Sequence, residues 1–259
     1  MLPVQRRTET LALLSQQHAV SVEALAAHLG VSESTVRRDL DELERQGIAR
    51  RVHGGAVLEA QADGADAPEL PPFMREVERQ REKQAIALAA RDLVRPGSAL
   101  LLTGGTTTAA LAPLLVDVPD VTVVTNSLDV AIRLANADIE LVLLGGALRR
   151  PELSLLGSLA QSSVRDVHVD HVVMGVYGID DRGGLLGASS TECETDRILA
   201  QQGSRLTVLA DSSKFTRRSP HRIAGLDAVS ELVTTGHAPP DAVDALRTQG
   251  VDVLIAPSL

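Results

Sequence analysis

Residues 32–55 read SESTVRRDLDELERQGIARRVHGG, and their spacing decides what the N-terminal part of the chain is. Small hydroxyl residues (Ser32, Ser34, Thr35) follow a Leu29-Gly30-Val31 turn. Val36, Leu40 and Leu43 then recur at i, i+4 and i+7, the spacing of one buried helical face. Arg37 and Arg38 flank that stripe, so they project away from a core near the start of the helix. A helix lying in a DNA major groove needs its donors there. An isolated string of this kind is more often a surface helix with two solvated arginines, so the flanking sequence has to decide.

Upstream, residues 4–17 form a first helix with Leu11 and Leu14 on its apolar side. Ser21 is a good N-cap for a second, VEALAAHL, with Val22, Leu25, Ala26 and Leu29 inward. Gly30 can take the positive φ that ends such a helix and turns the chain. Two short helices, a tight turn and a third helix make a helix-turn-helix. Residues 47–57 then predict a β hairpin, a wing carrying Arg50, Arg51 and His53 whose phosphate contacts would hold the reading helix in register. The candidate DNA-binding set is Ser32, Ser34, Thr35, Arg37, Arg38, Arg50, Arg51 and His53.

This arrangement resembles the N-terminal domain of the DeoR family of bacterial transcription regulators. That family's pattern has a VSxxTIRRDLxxLxxxG recognition segment followed by R-x-HGGA. Here the chain has Val31-Ser32-Glu33-Ser34-Thr35-Val36-Arg37-Arg38-Asp39-Leu40 and Arg51-Val52-His53-Gly54-Gly55-Ala56.

Charge restrains the DNA reading. The chain carries a formal net charge of −9, so no global positive field draws it to nucleic acid. Residues 1–58 hold seven arginines (6, 7, 37, 38, 45, 50, 51) and seven acids (9, 23, 33, 39, 41, 42, 44), so this region is close to neutral. Affinity then requires arginines and acids on different faces, and Arg37 with Asp41 at i, i+4 is an expected internal pair. Weak non-specific binding and reliance on two reading domains together follow, since phosphate neutralisation supplies bulk affinity. A homo-oligomer, dimer or tetramer, is the expected state.

At 259 residues the chain has room for one small domain and one of ordinary size. Only three aromatics are present, so the core must be Leu, Val, Ile and Ala. A single cysteine, Cys193, excludes an internal disulfide and suits a reducing cytosol. No run of eighteen apolar residues occurs and the start MLPVQRRTET has no signal-peptide core, which predicts a cytoplasmic protein without a membrane partner. Expected boundaries are a winged helix-turn-helix over 1–58, an Ala/Pro/acid-rich linker over 59–72 (EAQADGADAPELPP), and an α/β domain over 73–259.

The α/β expectation comes from alternation. A helix over roughly 73–94 ends at Pro96-Gly97. Strand-like runs at 99–102, 121–124, 139–144, 169–174, 205–210, 231–235 and 251–255 then alternate with helical segments. Continuous Val/Leu/Ile runs of this kind indicate a mostly parallel sheet covered on both faces. Ligands of such sheets lie beyond the carboxyl ends of the strands. Three polar loops fall there: Thr103 to Thr108 (with Gly104, Gly105, Thr106 and Thr107), Thr125-Asn126-Ser127, and Gly145-Gly146 with Arg149 and Arg150 just after. Glycines permit close backbone approach, and hydroxyls with helix N-termini supply donors to an anion. Each loop alone equally fits an ordinary strand-to-helix turn; three in succession point to a phosphorylated or otherwise anionic small ligand. The first is not a Walker A loop, because Gly-Lys-Thr is missing.

The DeoR resemblance extends through this region, on Glu82-Lys83-Gln84-Ala85-Ile86-Ala87, Gly105-Thr106-Thr107, Thr125-Asn126-Ser127, Gly145-Gly146 to Gly157, Gly175 to Gly178, and Ala210-Asp211-Ser212-Ser213-Lys214-Phe215. It implies a fold similar to ribose-phosphate isomerases and coenzyme A transferases, and a sensor of phosphorylated sugars or related metabolites. The family commonly has Asp where this chain has Thr103, a loss of one hydroxyl acceptor. The resemblance places Lys214 at the family's site, where it would meet the ligand's charge, although a loop lysine is usually solvated. Glu192 and Glu194 begin a helix, a position the macrodipole favours for carboxylates, and Glu192 joins the candidate effector residues for sugar hydroxyls. Cys193 between them reads as a packing thiol. His168 and His171 have no accompanying ligands, so no metal is expected, nor any cofactor. Two function classes compete: a repressor whose α/β domain binds a sugar phosphate and shifts the DNA-binding domains, or a working isomerase or transferase with an appended DNA-binding domain. No paired acid and base is evident, so no catalytic residue is assigned and the repressor reading leads.

Overall fold

The computed structural model describes residues 6, 7, 9–11, 13, 14, 19–45, 48–52, 54–58, 75, 78–150, 152–180 and 184–259. They fall into two compact units, one within residues 1–63 and 73–78, the other within 64–72 and 79–259. The expected linker 59–72 and His53 lie outside the described residues.

In the first unit the described residues between 6 and 14 are helical (α1), with Leu11 and Leu14 fully buried. A short strand β1 (Ala19–Ser21) leads into α2 (Val22–Leu29), where the Ser21 hydroxyl accepts the Ala24 amide as an N-cap. Gly30 closes α2 at φ 63°, a conformation that costs glycine little. Helix α3 (Glu33–Arg45) buries Val36, Leu40 and Leu43 against Val22, Leu25 and Leu29 of the same core, as the spacing predicts, while Ala26 is only half-buried. The wing is β2 (Ala49–Val52) paired antiparallel with β3 (Gly55–Leu58). Strand β1, which no sequence pattern announces, adds a third strand beside β3. That addition explains Gly55: a Cβ there would lie 2.4 Å from the Val20 carbonyl oxygen, so any side chain would push β1 off the wing.

The second unit is built on a seven-stranded sheet in the order β15-β14-β12-β9-β4-β5-β6, parallel throughout. Its strands are β4 (Ala99–Leu102), β5 (Thr122–Thr125), β6 (Glu140–Leu143), β9 (Val169–Gly175), β12 (Gly203–Leu209), β14 (Glu231–Thr235) and β15 (Asp252–Ala256). Side chains alternate across a strand, so Leu101 joins one apolar core while Leu100 and Leu102 join another on the opposite face. Helix α4 (Gln80–Arg91) contributes Ala85, Ile86, Ala87 and Ala90 to the second core. Helices α5 (Thr106–Leu111) and α6 (Leu128–Leu134) follow β4 and β5. An antiparallel hairpin of β7 (Ala147–Arg149) and β8 (Ser154–Leu156) precedes α7 (Ser158–Arg165). A small antiparallel sheet of β10 (Gly178–Asp180), β11 (Gly184–Leu186) and β13 (Arg222–Ala224) flanks α8 (Ser190–Leu199), and α9 (Pro240–Thr248) precedes β15.

The strand order fixes where a ligand belongs. The chain enters the sheet at β4, moves outward to β5 and β6, then returns to β9 on the other side of β4. The order reverses between β4 and β9, and crevices in open α/β sheets form at such switch points. Two sequence expectations change. Gly145-Gly146 leads into β7 instead of a helix start, so that loop has no helix N-terminus behind it. Of the charged residues at the start of α4, Glu82 (8% exposed) and Lys83 (4%) are buried where such residues are usually solvated, while Arg81 stays exposed.

Candidate functional site

On α3 the start is fixed by hydroxyls. Ser32 Oγ accepts the Thr35 amide at 3.3 Å and lies 2.9 Å from both Ser34 Oγ and Thr35 Oγ1. Asp39 turns inward and is gripped by Arg6 of α1 through two hydrogen bonds, one of them 3.0 Å, which raises the Arg6 pKa further. That bond removes one acid from the α3 surface and leaves Arg37 and Arg38 facing outward, both exposed. The expected Arg37–Asp41 pair does not form. Arg37 instead pairs with Glu33 one turn earlier, at 2.6 Å, and Asp41 pairs with Arg51 of the wing at 2.5 Å. A Glu placed N-terminal to an Arg at i, i+4 is the favourable orientation, and Glu33 in the first turn also meets the positive end of the helix dipole. Glu44 further accepts the Arg51 amide at 2.9 Å, and Arg45 pairs with Glu42. Among the described residues Arg38 makes no ion pair, and Arg50 is exposed on the wing.

In the second unit, Thr103 stitches the switch point. Its hydroxyl accepts the Gly175 amide at 3.2 Å and its own amide donates to Val173 O at 3.1 Å, so the ends of β4 and β9 are held together. The position that could carry a ligand-binding carboxylate is therefore a buried structural threonine. Other loop hydroxyls are also committed. Thr108 donates to Gly105 O at 2.9 Å, and Thr125 donates to Leu102 O at 2.6 Å while accepting the Ser127 amide. Ser127 accepts the Val130 amide as the cap of α6. Thr107 is buried and Thr106 half-buried at the start of α5.

Two polar atoms are left over. Asn126 donates its Nδ2 to Leu155 O at 3.3 Å, but its Oδ1 is buried without a hydrogen-bond partner, as is Ser154 Oγ. Both residues are at most 3% exposed. Ser154 pairs with Ser127 across an isolated bridge, and a side chain on Gly104 would begin 3.4 Å from its Cβ. Another such atom, Thr234 Oγ1, lies inside β14 instead of on a loop. Buried polar atoms without partners are costly; Ser154 lies against Gly104, and Asn126 is tied to the neighbouring Leu155.

Arg149 sits opposite Ser154 in the hairpin and so shares its face. It reaches Glu192 of α8, Nη1 to Oε1 at 3.8 Å. Burial, reinforced by Glu192 and Glu152 and opposed by Arg149, holds the Asp196 carboxyl well above the usual range. The sequence reading passed over Asp196, Glu152 and Ser154. The i, i+4 spacing of Glu192 and Asp196 on one helix face was a usable signal, whereas a three-residue strand such as β8 carries no period to read. Burial drives the Cys193 thiol up to about 11, with Asp196 adding to it, which leaves a packing side chain and no nucleophile. His171 is buried in β9 with Nε2 2.7 Å from Thr207 Oγ1, whereas His168 is exposed.

Lys214 lies in the 3-10 turn Ser212–Phe215 after β12, at the same sheet edge as the β4 and β5 loops. Asp211 caps that turn, accepting from Ser213 N at 3.0 Å and Ser213 Oγ at 2.5 Å. Burial opposes ionisation of Asp211, but Lys214, Lys83 and the Ser213 bonds hold its carboxyl below the ordinary range. Glu82 anchors the same turn from α4, and the sequence reading assigned it no role.

Comparison with known proteins divides the chain in two. Residues 6–62 match the DeoR-like helix-turn-helix domain and residues 78–236 match the DeoR C terminal sensor domain. A putative aga operon transcriptional repressor of Escherichia coli O157:H7 is 35% identical over 97% of this chain and 93% of that protein. The glycerol-3-phosphate regulon repressor of Escherichia coli K12 is 31% identical over 98% and 99%. Among solved structures, a ribose 5-phosphate isomerase A from Methanocaldococcus jannaschii aligns at TM-score 0.39 and 19% identity over 51% of this chain and 53% of that one, too distant a likeness to support an argument.

Proposed function

This chain belongs to the DeoR family of transcriptional regulators, and on that footing we propose that it represses a carbohydrate operon under control of a phosphorylated sugar or similar anionic metabolite. The observation that carries the reading is the pair of orphaned acceptors, Asn126 Oδ1 and Ser154 Oγ, the second of them on a residue packed against Gly104. A polyhydroxylated ligand supplies the donors they lack. Around it stand Gly104, Gly105, Thr106, Thr107 and Asn126 for close backbone and side-chain contact, Glu192 with Arg149 and Asp196 for hydroxyls, and Lys214 for the anionic end. Thr108, Thr125 and Ser127 act mainly by holding these loops, because their hydroxyls are already engaged. Gly145-Gly146 serves by starting the hairpin that carries Arg149 and Ser154.

In the first unit Arg38 is the leading base reader. Ser32, Ser34 and Thr35 contact phosphate at the helix start, and Arg50 and Arg51 follow from the wing. The domain boundaries we adopt are a reader over 1–58, a linker over 59–72 and a sensor over 73–259. Self-association supplies the second reader. Both edge strands of the sheet expose consecutive apolar side chains, Val142 and Leu143 on β6 and Leu254 and Ile255 on β15, and exposed apolar edges mark contact surfaces. Among the described residues no helix is long and apolar enough to cross a membrane.

The test is a thermal-shift panel of sugar phosphates, glycerol 3-phosphate and galactosamine 6-phosphate included, followed by gel-shift titration of DNA from upstream of the gene and its neighbours. A bound ligand raises stability by mass action, and the same compound should change operator affinity. A panel with no effect on either readout, or turnover of any member, overturns the proposal.

A further inference from the structure

Glu82 is a buried carboxylate with every oxygen employed. Oε1 accepts Arg79 Nη1 at 2.8 Å and Ser212 Oγ at 3.0 Å; Oε2 accepts Ser212 N at 3.0 Å and Thr235 Oγ1 at 2.8 Å. One side chain thus ties together the turn that bears Lys214, the carboxyl end of β14 and Arg79 at the start of α4. Only an ionised carboxylate offers two oxygens that can each accept two donors, and charge-assisted bonds of this kind are the strong ones.

Arg79 stands at a particular point of the chain. Glu78 ends the 73–78 segment that belongs to the first unit, and the chain passes to the second unit at Arg79. Arg79 takes φ 53° and ψ 37° directly before α4, a left-handed conformation that is uncommon for a residue with a long side chain. Such a conformation persists when its surroundings over-determine it, and the guanidinium bond to Glu82 is one of those restraints. The Lys214 turn, Glu82 and one of the points where the chain passes between the two units are therefore consecutive links.

We propose that the Arg79–Glu82–Ser212 chain of hydrogen bonds is the positioning device that couples occupancy of the Lys214 turn to the segment leading to the DNA-binding unit. The proposal rests on the effector reading given above. A ligand that draws the turn toward itself shifts Ser212. Glu82 then follows or surrenders two bonds, and Arg79 loses the restraint on its left-handed backbone. The ligand's differential affinity for the two arrangements appears as a change in operator affinity.

Two measurements on the full-length protein test this. The first needs no ligand. Hydrogen exchange at the Ser212 amide should accelerate at least tenfold in Glu82→Gln, and exchange across 211–216 should also rise in Arg79→Ala. The second uses glycerol 3-phosphate and galactosamine 6-phosphate as probes. Arg79→Ala should bind the active probe within about twofold of wild type and naked operator within about threefold. Its probe-induced change in operator affinity should fall below about twofold, and Arg79→Lys should restore most of it. A merely structural Arg79 would lower the melting temperature and leave that change intact, which overturns the proposal. Should no probe alter wild-type operator binding, the effector reading fails by itself. The exchange measurement then decides the link, and unaltered Ser212 exchange in both variants overturns it.

Discussion

The recognition helix and the switch-point loops handle polar groups in opposite ways. On α3 and the wing they are exposed and already partnered: Arg37 with Glu33, Arg51 with Asp41, Ser32 with Ser34 and Thr35. At the switch point they are buried, and two of them have no partner. Exposed pairs are worth little and exchange readily, so phosphates can replace Glu33 or Asp41 at small cost. Buried groups are desolvated before any ligand arrives, so a ligand that satisfies them is selected for shape and hydrogen bonding together. The reader is a surface of interchangeable contacts, and the sensor loops present buried polar groups with set requirements.

Acid separates the two regions most strongly, because it acts on buried groups and spares solvated pairs. His171 is held neutral by burial first and by Arg205 and Arg95 second, against Glu231, so its pKa falls to about 4. The unfolded chain takes up a proton below about 6.5 while the folded chain does not. Stability is thus intact above pH 6.5 and declines as pH falls toward 4, by up to about 3 kcal/mol at 1.36 kcal/mol per unit. Glu82 and Asp211 lie below their ordinary range, so their contributions fade only at lower pH. Asp196, raised, has the opposite sign over the same window. The difference between wild type and His171→Gln isolates the histidine, and urea melts at pH 7, 5.5 and 4.5 measure it. Parallel curves for the two proteins would exclude a buried neutral His171.

Next in size is Arg38→Ala. An arginine that reads a base edge is worth about 1–3 kcal/mol, about fivefold to over a hundredfold in operator affinity. Arg37→Ala should cost less, because Arg37 must first leave Glu33. Gel-shift titrations of both variants on one operator make the comparison. Equal losses would mean that the Glu33 pair does not restrain Arg37, and no loss from either would remove α3 as the reader.

How much of this was legible in the sequence follows the same divide. Helix positions such as Val36, Leu40 and Leu43 declare themselves by period, and Ser21 and Gly30 by cap chemistry, so the helix-turn-helix was readable. The parallel strands were readable as unbroken apolar runs. The pairing of Arg37 was misassigned to Asp41, because spacing on one helix cannot show that the wing's Arg51 comes to claim that acid. The switch-point orphans were invisible for a similar reason. Asn126 was suspected from its loop, but Ser154 lies in a three-residue strand and becomes interesting only when the β7–β8 hairpin folds back over Gly104. Glu82 had no role to read from the sequence, because its partner Ser212 lies 130 residues away on the turn after β12.

A smaller effect probes the orphaned Ser154 hydroxyl directly. Ser154→Ala deletes a buried hydroxyl that has no partner, which should stabilise the unliganded protein by about 1 kcal/mol, the order of the penalty for an unsatisfied buried group. The same change should shrink the thermal shift produced by the active sugar phosphate. Melts with and without ligand read both quantities. Loss of stability without ligand would show that the hydroxyl is satisfied in solution, and an undiminished shift would place the ligand elsewhere.

The smallest effect returns to α3. Glu33→Gln breaks a pair whose side chains are 53% and 49% exposed, so folding should lose at most about 0.5 kcal/mol. DNA binding should move the other way. One negative charge disappears from the helix start and Arg37 is released to contact DNA, so operator affinity should rise by about twofold to fivefold, within the range of a single exposed charge pair. Salt dependence should steepen by about one phosphate contact. The pair can be isolated by a double-mutant cycle, because neighbouring residues are not additive. In the Glu33→Gln background, Arg37→Ala should cost more than in wild type and approach the cost of Arg38→Ala. If the two arginines still differ as before, Glu33 is a bystander, and the difference between them must come from where each guanidinium meets the DNA.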